Sequence, residues 1–259
     1  MACIHVCVSM NGVHGAPRGG SGFMSNLLAL DDVPAHFHKD APLDPHQRRR
    51  HHAVLDALSH VPRGRLLDYG CGWGDITWAM ARTHPDIHAV DIDAARVEFA
   101  RREFAPVDFG VCRPDGLDFE DASFDCVTSV LVLPFGPDDG AYLREVRRVL
   151  KPEGHFLLAT KICPRLRQLS NLLTGHPERS RMASTGLRTH TAGDVLALLE
   201  ANGFGVISRT GFFDPPFDAR KNGGDILNGA VELLAEAASL ESFAPYQVFL
   251  CRLGEVRRA

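Results

Sequence analysis

The fold is decided by the stretch "LLDYGCGWGD", residues 66–75, in which a short apolar run passes directly into alternating glycines. The run has the composition of a buried strand, and glycines at every second position predict a tight turn after it. The glycines are Gly70, Gly72 and Gly74. Turns of this kind bring the backbone close to a bound nucleotide. Asp68 and Asp75 stand on either side of the glycines and indicate which nucleotide fits.

The glycine spacing argues against a dinucleotide. A dehydrogenase fingerprint reads GxGxxG, and Asp75 stands where its third glycine falls. An acid at a helix N-terminus favours the helix but repels a pyrophosphate at the same place. No GK[ST] signature of a triphosphate loop is present. S-adenosylmethionine carries an ammonium and a sulfonium and no phosphate, so Asp68 and Asp75 favour it, pairing with the ammonium directly or through water.

Another acidic residue follows the glycine turn at the distance expected for a carboxylate that binds ribose. Asp91, in "HAVDID", ends the next apolar run, about 20 residues after the glycine turn. A carboxylate at that point can accept hydrogen bonds from both hydroxyls of a ribose. Asp93 fits the N-cap of the helix that follows.

Strand-like and helix-like segments alternate along the chain from residue 45. This alternation predicts an α/β fold, with a doubly wound, mostly parallel, seven-stranded sheet of the Rossmann-like kind. Ligands of such sheets bind at the carboxyl ends of the strands, which places the glycine turn in the ligand cleft. The predicted strands are 64–70, 87–93, 107–112, 124–133, 155–161, 205–213 and 246–253.

Two long connections interrupt the alternation. Residues 161–190 and 213–245 exceed what a tight connection needs, and such inserts are typical of lids, so we expect helical caps over the substrate. The Gly-rich start, residues 1–24, is predicted to be a flexible leader. Residues 25–259 then form one domain.

Four blocks in order, "LLDYGCGWGD", "AVDID", "LDFEDASFDCVTSVLVL" and "YLREVRRVLKPEGHFLLAT", resemble a class I S-adenosylmethionine-dependent methyltransferase of the small-molecule, type 11 group. The resemblance covers about residues 45–210. It implies methyl transfer from S-adenosylmethionine, with S-adenosylhomocysteine as the product. The cofactor loop it implies consists of Asp68, Gly70, Cys71, Gly72 and Gly74, with Asp91 on the ribose, Ile92 beside the adenine and Val130 at the methionine end.

The adenine contact departs from the family pattern. A strict alignment of "CRPDGLDF" puts Arg113 where the family has the aspartate that binds the adenine amino group. A loop shortened by two residues instead brings Asp115 and Gly116 there. We favour Asp115, because a carboxylate accepts a hydrogen bond from an amino group and a guanidinium does not.

Composition limits the partners. The net charge is −4, so no broad basic field is available for nucleic acid. The one dense basic run, "HQRRRHH" at 46–52, is interpreted as a solvated helix face. No apolar run is long enough for a membrane span, and no signal peptide is evident, so we expect a cytoplasmic protein. The seven scattered cysteines include no CxxC pair, and we expect no metal site.

The sequence carries fewer signals for the methyl acceptor and the catalytic base than for the cofactor. We expect a small, partly apolar metabolite methylated on oxygen, nitrogen or carbon, by a monomer or a homodimer. The alternatives are a nucleic-acid methyltransferase and a non-catalytic module that only binds the cofactor. An oxygen acceptor needs a base near neutral pKa, for which histidine is suited. The candidates are His36, His38, His176 and His190, each of which also fits a plain surface histidine.

Overall fold

The structure, a computed structural model, describes residues 37–38, 43, 45–114, 116–133, 138–162, 190–212 and 244–254. The predicted leader and nearly all of both inserts lie outside these residues, and the division into leader, domain and caps stays a prediction. The same holds for the site candidates His36, His176 and Asp115.

The predicted sheet is confirmed. Seven strands lie in the order β3-β2-β1-β4-β5-β7-β6, and β7 runs antiparallel to both of its neighbours. The pairs β1–β2, β2–β3, β1–β4 and β4–β5 are parallel. The strands are β1 (Leu66–Tyr69), β2 (Ile87–Asp91), β3 (Asp108–Val111), β4 (Phe124–Val130), β5 (Leu150–Lys161), β6 (Phe204–Phe212) and β7 (Tyr246–Leu253).

Helices cover both faces of this sheet. The helices of the described residues are α1 (Pro45–Ser59), α2 (Asp75–Ala81), α3 (Ala94–Glu103), α4 (Asp139–Val149) and α5 (Ala192–Ala201). Successive residues of a strand point to opposite faces. Leu66 therefore packs with α1 and α2, whereas Leu67 packs with α4 and α5. The chain is thus doubly wound, and both faces of β1 are buried.

Helix boundaries follow the capping signals in the sequence. Asp93 caps α3 by accepting the backbone N–H groups of Ala95 and Arg96. Gly203, with a φ of 81°, follows the end of α5, as its place in the sequence predicts. The sequence "KPEG" at 151–154 is typical of a turn, and a turn prediction there is wrong, because these residues lie within β5. Glu153 adopts a positive φ, and the β4–β5 register shifts around it without ending the strand.

The interpretation of "HQRRRHH" as a solvated face is also wrong in part. Arg50 and His51 are buried, whereas Arg48 and His52 are exposed. One Nη of Arg50 and Nε2 of His51 lie 2.9 and 3.0 Å from the same carboxylate oxygen of Asp75, the first residue of α2. Residues half a turn apart, such as Arg48 and Arg50, lie on opposite faces of a helix, so a dense basic run divides between water and core. This cluster joins α1 to the start of α2.

Replacement of Arg50 tests that connection. Arg50→Ala leaves the buried Asp75 carboxylate with His51 alone, and loss of one partner of a buried pair costs about 3 kcal/mol. Arg48→Ala, on the exposed face of the same helix, is the matched control and is expected to change the free energy of unfolding by less than about 0.5 kcal/mol. Urea unfolding at pH 7 measures both. Equal effects of the two substitutions would show that the pair does not stabilise the fold.

Candidate functional site

The glycine turn is fastened to the carboxyl end of β2. Gly70 and Cys71 both donate their backbone N–H to the carbonyl of Val90, at 2.7 and 3.0 Å. The next donor, the N–H of Gly72, reaches a carboxylate oxygen of Asp91 at 2.8 Å. Because β1 and β2 are parallel neighbours, their carboxyl ends meet at one edge of the sheet, and the turn crosses that edge.

The three glycines have different reasons for being glycine. All have positive φ, at 89°, 55° and 87° for Gly70, Gly72 and Gly74. A Cβ on Gly70 would collide with Val132, and one on Gly74 would meet Ala100 at 2.9 Å. A Cβ on Gly72 would meet nothing within 4 Å. Gly70 and Gly74 therefore serve the packing of the protein, whereas Gly72 borders open space.

Asp91 is held beside that open space. One of its carboxylate oxygens accepts the Gly72 N–H, and the other accepts the Asp93 N–H at 2.9 Å. Each oxygen has a second lone pair, so the oriented carboxylate can accept two more hydrogen bonds. The side chain of the next residue, Ile92, is apolar and 46% exposed, which offers a flat apolar contact next to the carboxylate.

The remaining predicted cofactor residues occupy varied positions. Cys71 is buried, and burial raises the pKa of its thiol well above the usual value, so it serves as a packing residue. Val130 is half-buried at the end of β4. Gly116 forms an isolated bridge with Arg113, whose guanidinium pairs with Asp118 at 2.8 Å.

Asp68 lies fully buried beneath the turn. It accepts hydrogen bonds from the hydroxyls of Thr77 on α2, at 2.5 Å, and Thr128 on β4, at 3.0 Å. Burial raises the pKa of Asp68 to about 6, although both hydroxyls oppose the rise. Its carboxylate thus ties β1, β4 and α2 together.

Asp75 has protein partners as well. Burial alone would raise the pKa of Asp75, but Arg50 and His51 lower it to about 2. The sequence suggested that both acids present their charge to a bound cation. The structure instead gives each of them partners within the protein, and neither carboxylate stands free at the surface. The signal for Asp75 was present in the basic run of α1, but the pairing spans 25 residues and only the fold brings it together.

Trp73, which lies within the glycine turn, belongs to an aromatic cluster. Its ring lies 5.8 Å from Phe37, in the segment before α1, and 5.5 Å from Phe99 on α3, measured between ring centroids. The Arg96 guanidinium stands over the same ring at 5.5 Å. Phe37 is therefore packed next to the glycine turn.

Two of the four histidine candidates, His38 and His190, lie within the described residues, and their surroundings differ. His38 is exposed, pairs with Glu103 at 3.5 Å and rests its ring against Phe99. His190 is buried, and its Nε2 lies 2.8 Å from a carboxylate oxygen of Asp139. The neighbouring Asp138 caps α4. The sequence offers His190 as a candidate base, but its pairing with Asp139 spans 51 residues and only the fold brings the two side chains together.

Within the described ranges, no cluster of three or more histidine, cysteine or acidic side chains is arranged to hold a metal ion. No helix of the same residues has the length and apolar character needed to cross a membrane.

Comparison with known proteins adds independent findings. Residues 67–158 match the family model described as "Methyltransferase domain". The chain is 31% identical over 190 residues to a Mycolicibacterium smegmatis protein named "Probable S-adenosylmethionine-dependent methyltransferase", covering 71% of this chain and 70% of that protein. It is 36% identical over 105 residues to a ubiquinone biosynthesis O-methyltransferase of Xanthomonas campestris pv. campestris, covering 39% of this chain and 44% of that relative.

A solved structure shares the fold. Geranyl diphosphate C-methyltransferase from Streptomyces coelicolor, in complex with Mg²⁺, geranyl-S-thiolodiphosphate and S-adenosyl-L-homocysteine, superposes with a TM-score of 0.55. The sequence identity is 14%, and the match covers 80% of this chain and 76% of that one. At this identity the likeness concerns the architecture alone.

The raised pKa of Asp68 makes stability depend on pH. The folded protein binds more protons than the unfolded chain between pH 3.8, the ordinary pKa of an aspartate, and about pH 6, so stability falls as pH rises through that window. Asp68→Asn has no such titration. Between pH 5 and pH 8 the wild type should lose about 1.4 kcal/mol more than this variant. Urea unfolding at the two pH values measures the difference, and parallel pH dependence of the two proteins would contradict the assignment.

Proposed function

This chain belongs to the class I S-adenosylmethionine-dependent methyltransferases, and we propose that it methylates a small, partly apolar metabolite at the carboxyl edge of its sheet. The observation that carries the proposal is the open side of Gly72, which lies directly beside the oriented carboxylate of Asp91. We call this open space at Gly72, together with the Asp91 carboxylate, the cradle. Because Gly72 has no side chain and Asp91 can accept two further hydrogen bonds, the cradle fits a nucleoside that packs against the backbone.

The residues around this cradle are proposed to hold the cofactor as follows. Asp91 accepts hydrogen bonds from the ribose hydroxyls, and the exposed face of Ile92 covers one side of the adenine. Gly72 lets the backbone approach the methionine portion, with Val130 at its far end. Asp68 and Asp75 support the turn from beneath and do not contact the cofactor. Asp115 and Gly116 remain the proposed partners of the adenine amino group.

When bound, S-adenosylmethionine supplies an electrophilic methyl group on a sulfonium that is already a good leaving group. The protein is left with positioning the acceptor in line and excluding water, which together account for much of the acceleration in such transfers. The carboxyl ends of β4 and β5 lie at the same edge of the sheet as the cradle. Residues at this edge can therefore position the acceptor and exclude water.

Aromatic pairs at the same edge support a partly apolar acceptor. Tyr69, next to Gly70, stacks on Tyr142 of α4 with ring centroids 5.1 Å apart. Phe212 at the end of β6 stacks on Tyr246 at the start of β7, also at 5.1 Å. Aromatic walls with few polar groups are typical of sites for small organic ligands. The name of one relative, an O-methyltransferase of ubiquinone biosynthesis, is in keeping with such an acceptor.

Nucleic acid is a poorer acceptor for this surface. The net charge is −4, and the one dense basic run turns Arg50 and His51 inward onto Asp75. A phosphate backbone would need several exposed cations at the site.

Asp91→Ala tests the cofactor site. The variant loses two hydrogen bonds to a charged acceptor, each worth about 1.5–3 kcal/mol, so the Kd for S-adenosylmethionine should rise at least about 150-fold. Asp93→Ala is the matched control: it removes the α3 cap and the ion pair with Arg96, costing about 1 kcal/mol of stability, leaves the Asp91 carboxylate in place, and should bind like the wild type. Calorimetry on both variants decides. Wild-type affinity in Asp91→Ala would overturn the assignment.

Two glycine replacements separate fold from binding. Gly72→Ala should fold, because its Cβ meets nothing, at a cost of about 1–2 kcal/mol for the left-handed backbone, yet the methyl should fill the cradle and weaken binding at least about 10-fold. Gly70→Ala collides with Val132 and should lower the melting temperature much more. Thermal unfolding and calorimetry with S-adenosylhomocysteine report the two effects. Undiminished binding by Gly72→Ala would count against the cradle.

A further inference from the structure

A buried histidine–aspartate pair lies outside the cofactor cradle. Nε2 of His190 is 2.8 Å from a carboxylate oxygen of Asp139, and both residues are 7% exposed. Asp139 is the first residue of α4, where the helix N-terminus favours a negative charge. The pair is therefore shielded from solvent and oriented by the backbone of a helix.

This pairing fixes the protonation of the ring. A carboxylate only accepts hydrogen bonds, so Nε2 carries the hydrogen and donates it to Asp139. The other nitrogen, Nδ1, then has an unprotonated lone pair. It is buried, and within the part of the chain that the structure describes it has no hydrogen-bond partner. A buried polar atom without a partner is unfavourable, and in a native protein it calls for an explanation.

The pair stands at the edge that binds the cofactor. Asp139 begins the helix that follows β4, and His190 bridges to Ile162 immediately after β5. Both therefore lie at the carboxyl ends of the strands beyond β1. One helical turn after Asp139, Tyr142 stacks on Tyr69, which precedes Gly70. A continuous set of contacts thus connects His190 to the glycine turn.

The neighbouring titratable groups do not compete as proton acceptors. Burial raises the pKa of Tyr69 to about 12 and that of Tyr142 further still, so both phenols stay neutral. Asp68 is enclosed by its two threonines. Asp194 on α5 accepts the backbone N–H of Thr191 in the capping box of that helix.

We propose that His190, held by Asp139, is the base that removes the proton of the methyl acceptor, and that the acceptor is a hydroxyl on an aromatic ring. The inference rests on the proposed function and names its substrate class. The acceptor O–H gives its proton to Nδ1, the oxygen electron pair forms the bond to the methyl carbon, and the electrons of the broken C–S bond remain on sulfur. The imidazolium that results is stabilised by Asp139. A phenol fits because its acidity lies within reach of an imidazole base.

Steady-state methylation of phenol, catechol and 4-hydroxybenzoate tests the base. We expect the wild type to methylate at least one of them, with a kcat that rises with pH to a plateau. In His190→Gln, kcat should fall at least about 100-fold, with KM changed little and the acidic limb of the profile lost. Asp139→Asn should also lower kcat, because the imidazolium that forms in the transfer loses its counter-charge.

A matched control separates chemistry from packing. His84→Gln removes another buried histidine with an unpartnered ring nitrogen, at the opposite, amino edge of the sheet, and should leave kcat and the pH profile unchanged. Calorimetry with S-adenosylmethionine accompanies every variant. If the wild type does not bind it, the proposed function fails. If the wild type binds it but methylates none of the phenols, or if His190→Gln is as active as the wild type, the base assignment is overturned.

A readout without turnover complements the rates. In protein labelled with ¹⁵N-histidine and loaded with S-adenosylhomocysteine, the signal absent from His190→Gln identifies His190. Its shifts should report a hydrogen on Nε2 and none on Nδ1, and saturating catechol should move the Nδ1 resonance. A hydrogen on Nδ1, or an Nδ1 signal that catechol leaves unmoved, would overturn the proposal.

Discussion

The site depends on hydrogen bonds at the carboxyl end of β2, where three successive backbone N–H groups of the glycine turn find their acceptors. The Val90 carbonyl takes two of them and the Asp91 carboxylate takes the third. These bonds hold Gly72 with its open side outward and orient the Asp91 oxygens in the same step. Scaffold and cofactor site therefore share one set of interactions, and a change that loosens the turn also disturbs the carboxylate.

Partners within the protein explain how the two buried acids beneath the turn, Asp68 and Asp75, are tolerated. Asp68 is satisfied by two threonine hydroxyls and Asp75 by an arginine and a histidine of α1. Because both are matched internally, their charge says less about the ligand than the sequence suggested. The choice of S-adenosylmethionine over a dinucleotide rests on the family relationship and the cradle at Gly72. The acids instead determine how α1, α2, β1 and β4 are joined.

The sequence predicted most of the fold because its signals are local. Apolar runs, helix caps such as Asp93 and the glycine turn each depend on neighbouring residues, and all seven strands appear where these signals placed them. Pairings across long separations were missed, including Arg50 with Asp75 and His190 with Asp139, because only the tertiary fold brings them together. The extension of β5 through "KPEG" was missed for a related reason: Leu150 and His155, on either side of these residues, both pair with β4, so the strand continues past the turn residues.

The antiparallel direction of β7 has a consequence for how such a protein can diversify. Since β6 runs with the parallel strands and β7 against them, Phe212 and Ala244, on either side of their connection, both lie at the carboxyl edge. Because both ends of this connection lie at one edge, residues gained or lost between them leave the register of β6 against β7 unchanged. Insertion and deletion can therefore change the length of the connection while the pairing of the sheet is inherited unchanged.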